Sequence, residues 1–178
     1  MLVRAFFPEA LSEQTTADGD PWYTAACAAA EDLGLYVGVD IRTQHTNAAL
    51  VTQSVSRYEM AQILYNAMRA ASPQEAPDLS AAQASTADWA SIPGRYQAAV
   101  AAVKAAGVIT GTDGAGTFNG EASMSRAEAA TVMTRLDDAL TALPSEMPTA
   151  ETQAETEAAP AEGPEIDVPA EEVPIEES

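Results

Sequence analysis

Chemistry-bearing side chains are scarce in this 178-residue chain, which holds one cysteine, Cys27, one histidine, His45, and eight Lys and Arg against 27 acids. A lone cysteine excludes an intrachain disulfide. His45 lies in a polar stretch with no Cys or second His nearby, so it is expected to be solvated and a metal site is not expected. With no serine-elbow motif either, no nucleophile and base can be paired, and neither catalysis nor a cofactor is predicted. Nucleic acid is excluded as a partner, because phosphate binding needs a concentrated basic surface. No apolar run is long enough to cross a membrane, and the first residues lack the basic region, apolar region and cleavage site of a secretion signal.

Aromatic residues are also few, 6% against a hydrophobic fraction of 47% that is largely alanine. A core of small, closely approaching residues with a few large anchors favours helices packed on helices, so a mostly α fold is expected. Cys27 falls on an apolar stripe and is read as a buried small hydrophobe; a reactive thiol is the other reading.

The charge of −19 is unevenly spread. Residues 1–140 hold all eight bases and 16 acids, a net −8, whereas residues 141–178 hold 11 acids, no base and six of the 11 prolines. Such a segment buries too little apolar surface to offset chain entropy, so 141–178 is read as a disordered, self-repelling acidic linker or tail.

What is present is a repeat. Ser56-Arg57-Tyr58-Glu59 recurs as Ser125-Arg126-Ala127-Glu128 at an offset of 69, while Tyr23, Gly34 and Gly38 align with Tyr96, Gly107 and Gly111 at an offset of 73. One indel in a connecting loop, with agreement on both sides, marks duplicated supersecondary units. The units span 18–71 and 88–140, with a linker at 72–87.

Each unit reads as helix, glycine-bounded loop, helix. In the first, Asp20 caps, Pro21 takes the first helical position and Gly34 stops the helix. Ala49 to Val51 in the following connection are read as extended. The second helix opens on Ser56 and Glu59 as a capping box, with Met60, Ile63, Leu64, Ala67 and Met68 on one face. The second unit repeats this plan, with a first helix from about Arg95 to Ala106 and a second opening on Ser125 and Glu128. Phe118, alone among glycines and polar groups in its loop, is expected to plug the space between the unit's two helices. Residues 1–8 match the end of the other second helices, Arg4 aligning with Asn66 and Arg135, so the chain is expected to begin within a preceding unit.

These features resemble the S-layer homology family: the aromatic helix starts at Trp22-Tyr23 and Tyr96, the glycine turns 33–38 and 106–111, the Gly116-Thr117-Phe118 loop and the two Ser-Arg-x-Glu starts. The resemblance covers roughly residues 18–140 and is closer in the second unit. It implies a pseudo-threefold prism of helix-loop-helix repeats around a central helical bundle, incomplete with two whole units. It also implies a noncovalent anchor for secondary cell-wall polysaccharide, often pyruvylated, or another peptidoglycan-associated glycan, at the cell wall or S-layer outside a bacterium. By position, the implied polysaccharide-binding residues are Arg57, Arg126, Asp20, Trp22, Gly38, Gly111, Asp88 and Trp89. Serine stands where the family usually has threonine, and Tyr58 and the longer loop make the first unit irregular.

Plainer readings stand beside these. A Ser-Arg-x-Glu start is first a helix cap, and an arginine after a cap is commonly solvated; a guanidinium fork and an amide-rich helix start nonetheless suit a carboxylate. Trp22 and Trp89 are read foremost as core anchors that could also stack on sugar rings. The loop 111–120 fits neither a phosphate loop nor a dinucleotide fingerprint, and Asp113, Asn119 and Glu121 miss the spacing of a calcium hand. The alternative function is a helical module for protein contacts or surface-layer self-association, without glycan binding.

Overall fold

The computed structural model describes residues 1–39, 54–72 and 75–142, and over these the protein is mostly helical. Seven α-helices are α1 (Leu2–Phe6), α2 (Pro8–Ser12), α3 (Thr24–Asp32), α4 (Arg57–Ala71), α5 (Leu79–Ala84), α6 (Gly94–Ala105) and α7 (Arg126–Ala142), with a 3-10 turn at Trp89–Ser91. None is long and apolar enough to cross a membrane. Among the described residues there is no strand; Ser56 and Ser123 meet in an isolated antiparallel bridge. His45 and Ala49 to Val51 lie outside the described residues, as does the acidic segment except for Thr141 and Ala142, which extend α7.

Helix α4 is the hub. It packs on α6 and α7, α5 packs on α6, and α1, α2 and α3 pack on one another. Ala61, Leu64 and Ala67 of α4 and Ala99, Val100 and Val103 of α6 are fully buried. Alanine at the crossing lets the backbones approach closely, and the few large anchors, Tyr58, Trp89, Tyr96 and Phe118, fill what remains. Ala67 belongs to a second cluster with Val3, Ala29, Ala30 and Leu35, so α4 joins the amino-terminal helices to the second unit.

The first helix of each unit ends identically. Gly34 and Gly107 both take φ +68°, where L side chains are strained. Leu35 N–H then bonds to Ala30 O at 2.9 Å and Val108 N–H to Val103 O at 2.9 Å, the six-to-one closure of a Schellman motif. Leu35 and Val108 bury their side chains behind that turn.

Three expectations need correction. α3 begins at Thr24 rather than Pro21, because the Asp20 carboxylate accepts from Ala17 N–H at 2.7 Å and Pro21 to Tyr23 form a turn. Cys27 is half-buried rather than buried. The stretch read as linker holds α5, capped by Asp78, whose Oδ1 accepts from Ser80 and Ala81 amides at 2.9 and 3.1 Å.

Candidate functional site

Both capping boxes form. Glu59 N–H donates to Ser56 Oγ at 3.2 Å and Ser56 N–H to Glu59 Oε2 at 2.8 Å. At the second, the corresponding distances for Glu128 and Ser125 are 3.3 and 2.8 Å.

Beyond the caps the two helix starts differ. The first two amides of α4 are taken by the second unit, Arg57 N–H by Ala122 O at 2.9 Å and Tyr58 N–H by Gly120 O at 3.0 Å. The amide-rich start expected to attract an anion at Arg57 is therefore occupied by peptide carbonyls. The Arg57 side chain follows the same course: Nε donates to Phe118 O at 2.8 Å and Nη2 to Thr110 O at 2.9 Å, with the guanidinium 5.2 Å from the Phe118 ring centroid. Only 6% of Arg57 is exposed. Burial pulls its pKa below the ordinary arginine value, opposed by the negative charges of Glu128 and Asp88.

Asp88 holds the same loop from the other side, Oδ1 accepting from Phe118 N–H at 2.7 Å and Oδ2 from Asn119 N–H at 2.9 Å. Phe118 is thus fastened through its amide by Asp88 and through its carbonyl by Arg57. Lys104 closes the outer edge, donating to Ser85 O at 2.8 Å and Thr86 Oγ1 at 2.6 Å; burial lowers its pKa while Asp88 opposes. Within the loop, Asp113 Oδ1 accepts from Ala115 and Thr117 amides at 3.0 and 2.9 Å, and hydrogen bonds from Thr117 first of all hold its pKa below the usual aspartate value.

Tyr58 seals the junction. Its ring stacks on Tyr96 at 5.3 Å and 7°, and on Phe118 at 5.9 Å and 19°. Burial, with Asp88 and Glu121 nearby, raises its hydroxyl pKa. Phe118 is indeed fully buried, but it fills a seam between repeats as well as its own unit.

The eight implied binding residues separate accordingly. Arg57, Asp88 and Gly111 converge on the second loop, where a Cβ at Gly111 would lie 2.7 Å from the Gly116 Cα, and Trp89 is buried in the core below. Arg126 is exposed at the start of α7. Glu128 has its pKa lowered first by the hydrogen bond from Ser125 and further by the Arg57 charge, so the two motifs lie within electrostatic reach. In the first unit Asp20 is exposed, and Trp22, expected as a core anchor, is 82% exposed with its ring edge-on to Tyr23 at 5.6 Å. Gly38 is exposed at φ +80°.

Sequence reasoning left three positioning residues unassigned: Tyr58, Lys104 and Asn66. Asn66 Nδ2 donates to Leu35 O and Val37 O, both at 2.9 Å, holding the glycine turn of its own unit. Its equivalent, Arg135, reaches Thr110 Oγ1 at 3.4 Å, so the alignment of Asn66 with Arg135 was the available signal. Among the described residues no three His, Cys, Asp or Glu side chains are grouped to hold a metal ion.

The family model described as S-layer homology domain matches residues 85–130, from the start of the Asp88 lead-in through the second Ser-Arg-x-Glu. Comparison with curated proteins and with solved structures returns no significant match.

Proposed function

We propose, from the match of residues 85–130 to the S-layer homology domain, that the chain anchors a larger protein noncovalently to a bacterial cell wall by binding secondary cell-wall polysaccharide. S-layer homology domains are cell-surface anchoring modules that bind cell-wall polymers and are not catalysts. The finer reading is that the polymer is acidic, a pyruvate ketal offering its carboxylate to Arg126. The observation that carries it is the contrast between the two motifs: within the matched segment, Arg126 is an exposed arginine at the start of a capped helix. A guanidinium there offers a planar donor fork for a carboxylate, and the helix start adds a favourable dipole.

A body of net charge −8 repels a polyanion. Screening confines that repulsion to about 8 Å at physiological salt, so a local arginine prevails at short range while affinity per site stays low. Many copies on a wall surface then supply avidity. The exposed indole of Trp22 gives an apolar face on which a sugar ring can stack.

Arg126→Ala tests the assignment. Removing one charge-assisted contact lowers retention on wall sacculi roughly tenfold or more, while the thermal midpoint stays within about 1 °C because the side chain is exposed and the Ser125 cap remains. Undiminished retention by a folded variant overturns the arginine assignment.

A further inference from the structure

We propose that the two Ser-Arg-x-Glu copies have divided their work, Arg57 serving as a latch that fastens the second unit's loop to α4, so that the pair of motifs takes up one anionic ligand rather than two. This rests on the glycan reading above only for the identity of the ligand; the latch itself is independent of it.

The motifs share their caps and differ in the surroundings of their arginines, Arg57 being buried and Arg126 exposed. Arg57 spends its Nε and Nη2 on Phe118 O and Thr110 O, and the amides of Arg57 and Tyr58 are spent on Ala122 O and Gly120 O. Four donors from two consecutive residues thus close on carbonyls of a single loop. With two of its five N–H donors given to loop carbonyls and only 6% of the residue exposed, Arg57 presents little of its donor fork to a ligand carboxylate. Its approach is also occupied, since the Phe118 ring lies against the guanidinium and Tyr58 stacks beside it. Asp88 and Glu128 already bring negative charge close to Arg57, which lessens its pull on a further anion.

At the second copy the residue corresponding to Tyr58 is Ala127, small and exposed, and Arg126 is exposed. A ligand reaches that arginine without breaking a described hydrogen bond. Tyr58 against Ala127 is therefore the sequence difference that goes with latch against ligand residue.

The test uses the full chain, isothermal titration with a pyruvate-ketal N-acetylhexosamine, and thermal melting. The wild type titrates with one site per chain; two sites overturn the proposal. Arg57→Gln lowers the thermal midpoint by roughly 10 °C, yet at 10 °C, where circular dichroism shows it folded, it keeps the dissociation constant within about twofold. Arg126→Gln leaves the midpoint in place and abolishes the heat. Arg57→Lys guards against a variant too unstable to titrate: it retains the charge but lacks the fork that spans two carbonyls, so it melts early and still binds. An unchanged midpoint in Arg57→Gln and Arg57→Lys overturns the latch, and so does a folded Arg57→Gln that binds as poorly as Arg126→Gln. If the wild type gives no heat, the glycan reading fails for this probe and the two Arg57 midpoints alone decide the latch.

Discussion

Gly120→Ala destabilises the protein by about 3 kcal/mol, at the upper end of the usual cost of overpacking. A Cβ at Gly120 would stand 1.9 Å from Tyr58 Cε1 and 2.0 Å from Cζ, well inside contact distance. A tyrosine ring can often swing aside, but this one lies parallel to Tyr96 and nearly parallel to Phe118, and 5% of it is exposed. Moving it unstacks both partners; moving the backbone instead breaks the bond from Tyr58 N–H to Gly120 O. A double-mutant cycle separates this clash from any general intolerance of the loop. With Tyr58→Ala already present, adding Gly120→Ala costs less than about 0.5 kcal/mol, giving a coupling near 3 kcal/mol by chemical denaturation. A Gly120→Ala cost that persists without the ring contradicts the packing described here.

Phe118→Ala costs a further large amount, about 4 kcal/mol, in the range for truncating a buried aromatic. Phe118 is fully buried and lies against Tyr58 and the Arg57 guanidinium. Its backbone is held by Asp88 on one side and Arg57 on the other, so the loop cannot collapse into the space left by the ring. Phe118→Leu restores about half of the loss, since shape rather than polarity is at issue. The thermal midpoint of Phe118→Ala falls by roughly 10 °C or more; a fall of less than about 3 °C shows that the seam does not depend on the ring.

What was legible in the sequence follows the range of the interactions. Capping boxes act over three residues, and the helix starts at Arg57 and Arg126 are found where Ser56 and Ser125 announce them. The Gly34 and Gly107 stops are equally local. Arg57 is different, because its fate is set by Thr110 and Phe118, more than fifty residues away, and spacing along α4 carries no information about which carbonyls the next repeat brings. Trp22 and Trp89 look alike as aromatic residues near a helix start, yet Trp89 sits in a 3-10 turn packed into the core and Trp22 is exposed. The family resemblance implies a binding role for Asp88 by position, whereas both its oxygens accept loop amides. Helix α5 was legible in principle from Asp78 ahead of an alanine-rich run, but its six residues carry too little periodicity to stand out from a linker.

Co-sedimentation of the full chain with wall sacculi, before and after chemical removal of the secondary polymer, measures the anchoring claim directly. Retention on intact sacculi, release by added free polymer and little retention on stripped sacculi are the expected results. Equal retention on stripped sacculi contradicts the claim and favours a contact with peptidoglycan or protein in place of the polysaccharide.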